Sequence, residues 1–267
     1  MSIKPISCLP DFTIKSYREL IAALVQSNYQ FTLVRNLAND TLKPDLISSA
    51  HRVIYLRHDI DFYLNGVDQI SRLEADLGVV ATYYVLLTEQ YNPLHPTNIK
   101  IIREMVSQGH EIGLHYDLTL YPTDLSAANE QLAWEADTLS RITKRPVTTI
   151  VTHQPFRGLP DPFRSQDHYV HPHDPRYQAN LTYISDSARS WRDENLLKCF
   201  TDSPPQRLLL NTHPEFWLGH DVQNRWVYSE EVMYPNITAI SEKSLRDQQV
   251  VWQNHIATQL HDAREVK

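Results

Sequence analysis

The chain has 267 residues, 42% of them hydrophobic, and a formal net charge of −7. That length allows one large domain or two small ones around a sizeable core, and the acidic balance argues against a nucleic-acid or anionic-membrane surface. Two cysteines, Cys8 and Cys199, make no disulfide framework, which suits a reducing compartment.

The six glycines form neither a dinucleotide-binding nor a P-loop pattern. No apolar run approaches the roughly 20 residues that span a bilayer. Met1–Pro10 shows no basic region followed by an apolar one, so no signal peptide is visible and a cytoplasmic location is expected.

Residues 16–27 carry Tyr17, Leu20, Ile21, Leu24 and Val25 at helical spacing. From residue 53 the pattern alternates. Val53–Asp61 reads as a strand and Val67–Leu77 as a helix ended by Gly78. Val79–Leu87 is a strand, Thr97–Gln108 a helix, Glu111–Tyr116 a strand, Ser126–Thr143 a helix and Val147–Thr152 a strand. Such alternation implies parallel strands with helices outside, an α/β fold. Residues 154–180 hold many prolines and little periodicity, and read as a long functional loop. Strands resume at Leu181–Ser185 and Arg207–Asn211, and a helix is expected near Ser241–Ala263. One domain is expected, with an N-terminal helical extension (1–50), a catalytic core (51–220) and a C-terminal helical segment (221–267).

Acids and histidines close the hydrophobic runs: Asp59 and Asp61, His115 and Asp117, His153, Asp186 and His213. Polar groups at the C-terminal ends of parallel strands mark the active-site face of an α/β barrel or sheet. Asp59 and Asp61 share a strand face while His58 takes the other. Two carboxylates that close repel each other unless a cation intervenes; a divalent metal would relieve one and leave the other as a base. His110-Glu111-Ile112-Gly113-Leu114-His115 is not the zincin pattern, because position 114 is Leu114. His110 reads as a structural residue at the strand start. His168, His171 and His173 in the long loop read as solvated or substrate-facing, with metal ligation as the alternative.

In this order, these pieces resemble the NodB-homology polysaccharide deacetylases, carbohydrate esterase family 4, over about residues 53–220. The resemblance implies a distorted (β/α) barrel of the polysaccharide-deacetylase type and metal-dependent hydrolysis of acyl groups on sugars. It matches Asp59 to the catalytic base and Asp61 to a metal ligand. Gly109-His110-Glu111-Ile112-Gly113 leads to His115, the first metal histidine. His153-Gln154-Pro155-Phe156 aligns with the family's Arg-x-Pro-Tyr motif. Asp186 with Trp191, and Leu210–His213, resemble the last two motifs, the latter supplying the general acid, His213, oriented by Asp186.

Two positions depart from the family. Thr119 stands where its second metal histidine lies, and His153 stands in place of its arginine. A catalytic zinc has three protein ligands, so His153 is taken as the third beside Asp61 and His115, with Asp117, His171 and His173 as competitors. The expected activity is zinc-assisted removal of an N-acyl group from an amino sugar or glycan precursor in glycan biosynthesis. Tyr116, Phe156, Trp191 and Trp217 are candidate sugar-stacking platforms. A metal-independent amide hydrolase and a catalytically silent glycan-binding protein are the alternatives.

Overall fold

The computed structural model describes residues 6–42, 52–89, 91–154, 160–191, 195–218 and 224–239, with 249–250 and 253. Phe156 and most of the expected C-terminal helix lie outside the described residues.

Among the described residues, seven parallel strands form one curled sheet, a half-barrel with helices on its outer face. They are β1 (Tyr29–Thr32), β2 (Arg52–Ile60), β3 (Thr82–Leu86), β4 (Glu111–Tyr116), β5 (Ile150–Thr152), β6 (Leu181–Ser185) and β7 (Arg207–Thr212). The order is β5-β4-β3-β2-β7-β6, with β1 also on β2. β7 runs along β2 from Val53 to His58. On the other edge β1 pairs with residues 52–55 and β3 with residues 57–60. The N-terminal segment, expected as a helical extension, thus supplies a strand to the sheet as well as a helix.

α1 (Ile14–Gln26), α3 (Val67–Asp76), α4 (Pro96–Ser107) and α5 (Leu125–Thr143) are the longer helices, and α2 (Leu37–Leu42) is short. Local chemistry sets their ends. The Thr13 hydroxyl accepts from Ser16 N at 3.0 Å at the start of α1, and Asp124 accepts from Ala127 N at 2.9 Å at the start of α5. α3 stops before Gly78, whose φ of +71° favours glycine.

Strand alternation sorts the core into two layers. Ile54, Leu56, Ile60, Tyr83, Val85, Leu114, Leu208 and Leu210 point outward and pack on Leu20, Leu24, Ile70, Ile102 and Leu132 of the helices. Tyr55, Tyr84, Val151 and Leu209 point inward and meet Val34, Leu37 and Tyr177. β3 and β5 are shorter than their apolar runs. Ahead of β5, the loop meets the sheet instead: Val170 N donates to Thr148 O and Val170 O accepts from Ile150 N, at 2.9 and 3.1 Å.

The outer layer also buries a charged cluster. Glu74 of α3 accepts from the Tyr17 hydroxyl and from the Tyr83 hydroxyl at 2.7 Å. It meets His58 Nε2 at 2.8 Å, and the other His58 nitrogen lies 2.7 Å from Thr212 Oγ1. A buried carboxylate is tolerated when its oxygens are paired in this way. His110 accepts from Ala81 N at 3.1 Å and lies 3.0 Å from Ser71 O, a structural place at the strand start.

Candidate active site

The strand ends bring Asp59, Asp61, His115, His153 and His213 to one end of the half-barrel. Asp61, His115 and His153 each offer a ligand atom, all within 4.8 Å of one another. Asp61 Oδ1 lies 3.3 Å from His115 Nε2 and 3.3 Å from His153 Nδ1, and the two ring nitrogens are 3.2 Å apart. His153 is placed by its own backbone, whose N–H donates to Tyr116 O at 2.7 Å.

The tautomer of His115 decides what this cluster can hold. Its Nδ1 is 2.9 Å from Val151 O. A carbonyl oxygen only accepts, so Nδ1 carries the hydrogen. Nε2 is therefore the ring nitrogen turned towards the Asp61 carboxylate and His153, and in the neutral ring it is the one that carries the lone pair a cation needs. A backbone carbonyl that orients an imidazole for a cation is a known supporting arrangement in metal sites. Asp61 Oδ1 is buried and makes no well-aligned hydrogen bond. Burial would raise the Asp61 pKa, but His115 and His153 hold it well below the ordinary carboxylate value. Two imidazoles and one carboxylate fit a divalent ion such as zinc with a position left open.

Asp59 is held differently. Its Oδ2 accepts from Arg57 Nη2 at 2.8 Å and from Asn211 Nδ2 at 3.1 Å. Its Oδ1 is buried without a hydrogen-bond partner. Burial opposes ionisation, yet Arg57, with His115 and His213, lowers the pKa. The other arm of Arg57 meets His173 Nε2 at 3.4 Å. Burial, then Arg57, pushes His173 down to about 3, so it stays neutral and accepts from the guanidinium.

His213 forms a dyad with Asp186. Nδ1 is 2.6 Å from Asp186 Oδ1, and His213 N donates to both carboxylate oxygens at 3.1 Å. Burial disfavours the imidazolium, but Asp186, followed by Asp61 and Asp59, outweighs it and raises the pKa to about 10. His213 Nε2 is 3.7 Å from Asp61 Oδ2.

Several expectations are corrected. Tyr116 is fully buried. It follows His115 on β4, so it points to the helix layer, where its hydroxyl donates to Asp161 at 2.8 Å. Trp217 is also fully buried, and its indole N–H donates to Asp186 Oδ2 at 2.9 Å. It supports the dyad and has no face for a sugar. Trp191 packs on Phe12, 5.9 Å between centroids and 13° between planes, with its N–H on Pro10 O.

His171 is buried rather than solvated. It lies 3.4 Å from Asp161 Oδ2 and accepts from His173 N at 3.1 Å. Asp117 caps the turn after β4, accepting from Thr119 N at 2.9 Å and from the Thr119 hydroxyl at 2.7 Å. Among the described residues, the one metal-ligand cluster is Asp61 with His115 and His153.

Sequence reasoning missed Asn211, the full role of Arg57, and Glu215. The first two were accessible, since each lies two residues before a site residue on the same strand face. Glu215 follows His213 in the 3-10 turn Pro214–Trp217, where no periodicity applies. It is fully buried; burial, then the Asp61 charge, raises its pKa to about 8.

No family model matches the sequence, and no curated protein matches it. Among solved structures the chain is similar to the CE4 domain of a multidomain xylanase from the hindgut metagenome of Trinervitermes trinervoides. That pair shares 13% identity over 74% of this chain and 84% of the other, with a TM-score of 0.40. It is also similar to a family 4 acetyl xylan esterase from Clostridium thermocellum, in complex with a cobalt ion, at 14% identity over 73% and 84%, TM-score 0.39. A third is a CE4 family pseudoenzyme from Bacillus anthracis, at 13% identity over 72% of this chain and 61% of that one, TM-score 0.41. These are likenesses of fold at low identity.

Proposed function

We propose that this chain is a metal-dependent hydrolase that removes an N-acyl group from an amino sugar or glycan precursor. The observation that carries the reading is the convergence of Asp61 Oδ1, His115 Nε2 and His153 Nδ1, with the His115 ring oriented through Nδ1 by Val151 O. Asp61, His115 and His153 are the ligands in this reading, and zinc is the ion that suits them. A bound divalent ion polarises an acyl carbonyl and lowers the pKa of water.

The remaining steps belong to the chain. Asp59 is kept ionised by Arg57, with Oδ1 free to take the proton of an attacking water. His213 is kept protonated by Asp186, and its Nε2 gives a proton to the departing amine. Asn211 fixes the other Asp59 oxygen so that Oδ1 keeps its aim. A cytoplasmic setting is part of the proposal and is consistent with the free cysteines Cys8 and Cys199.

The test is metal analysis of the purified protein combined with amine release from N-acetylated amino sugars, before and after chelation. Bound zinc and chelator-sensitive amine release support the reading. Amine release without metal would leave a metal-independent amidase. Neither metal nor release would leave a glycan-binding protein.

A further inference from the structure

β2 ends at Ile60. Asp61 therefore lies beyond the β2 ladder, and something else must fix the backbone that carries its carboxylate. Glu215 reaches across from the end of β7. Its Oε1 accepts from Asp61 N at 2.7 Å and from Phe62 N at 2.9 Å. A carboxyl oxygen can accept both of these bonds whether the side chain is charged or neutral.

Glu215 is itself fixed. Its carbonyl accepts from the Tyr228 hydroxyl, and from the Tyr63 hydroxyl at 3.4 Å. His213 lies two residues before it. One side chain thus joins the turn bearing Asp61 to the turn bearing His213. The arrangement is costly for packing alone: Glu215 is fully buried, and its Oε2 has no hydrogen-bond partner. Leaving a buried polar atom unmatched is destabilising, and the two bonds that Oε1 accepts from the Asp61 and Phe62 amides are what offset that cost.

We propose that Glu215 is a positioning residue. It sets where the Asp61 carboxylate meets His115 and His153, and it fixes Asp61 relative to His213. The inference rests on the metal reading above, and it makes the Glu215 oxygen a hydrogen-bond acceptor rather than a ligand or a proton carrier.

Two full-length variants test it. Glu215→Met keeps much of the volume and offers the amides no oxygen. Glu215→Gln keeps an acceptor at the same reach. The readouts are the dissociation constant for zinc, the absorption spectrum of the cobalt-loaded protein, and hydrogen exchange of the Asp61 and Phe62 amides in metal-free protein. Loss of a supporting contact typically weakens metal binding by roughly 10–100-fold, and that is the change expected for Glu215→Met. An altered cobalt spectrum and faster exchange at both amides should accompany it. Glu215→Gln should restore all three.

A Glu215→Met protein with wild-type affinity and spectrum would overturn the proposal even if its melting temperature fell, because the role would then be structural alone. A Glu215→Gln protein as impaired as Glu215→Met would overturn it too, by showing that charge and not acceptor geometry matters. If Glu215→Met does not fold, Glu215→Asp, with a shorter reach, is judged on the same readouts. If the wild type takes up no zinc or cobalt, the metal reading fails separately, and amide exchange alone decides whether Glu215 holds the turn. Unchanged protection in Glu215→Met would then overturn the positioning role.

Discussion

Asp59 lies near the end of β2 and Asp61 just past it, and their partners give them different work. Asp61 faces two imidazoles, whereas Asp59 faces a guanidinium and an amide. Asp59→Asn should abolish amine release and leave zinc content near that of the wild type; loss of zinc in this variant would reverse the two assignments. His213→Ala should lower turnover by roughly 10²–10⁴-fold, the range for a general acid, with metal content little changed.

The same histidine makes a pH prediction for the metal-free protein. Its folded pKa of about 10 lies above the ordinary 6.5. Its contribution to stability is therefore fully present below pH 6.5 and is lost as pH rises through about 10. An NMR titration should show the His213 ring still protonated at pH 8, and a midpoint near 6.5 would refute the Asp186 pairing. Much of this site was legible in residue identities: Asp59, Asp61, His115, His153 and His213 all converge. Glu215 was not legible, because its role depends on a turn that no strand or helix period describes.

At the scale of elements, alternation along a strand decides what each side chain can do. It places Asp59 and Arg57 inside the half-barrel and His58 outside, on Glu74. It also explains why Tyr116 fails as a platform beside His115: adjacency in sequence means opposite faces on a strand. Apolar composition located the strands well but overstated β3 and β5, since strand length is set by the neighbours available for pairing. The aromatic platforms were read from residue type, which does not say which aromatic rings reach the site and which are packed in the core.

Gly113 of β4 shows a constraint that composition hides. A Cβ there would stand 2.5 Å from Tyr84 Cε1 and 2.5 Å from Thr149 Oγ1. Gly113→Ala must displace the Tyr84 ring, over which Arg57 lies at 5.7 Å. We expect a loss of about 1–3 kcal/mol, typical of overpacking, measured by denaturant unfolding of the metal-free protein. A variant as stable as the wild type would show that the ring moves freely.

For the whole molecule, the ligands come from three strands or their ends: β2, β4 and β5. A cation that binds only when all three are assembled must stabilise the fold by mass action. Zinc at about 100 times its dissociation constant should add roughly 2.7 kcal/mol, seen as a rise in melting temperature. His153→Ala should remove most of that rise. A full rise in this variant would exclude His153 as a ligand.

β2 is the strand on which this assembly depends, hydrogen-bonded to β7 on one edge and to β1 and then β3 on the other. A one-residue slip along a strand turns every side chain to the opposite face. In β2 it would exchange Asp59 for His58 and bring the Glu74 partner to the inner face of the half-barrel. Three ladders at once oppose such a slip. Over evolutionary time, insertions and deletions should therefore be accepted in the connections around this strand and excluded from residues 52–60, even where single substitutions are tolerated. A library of single-residue insertions, selected for folded and active protein, should show that gap in its map.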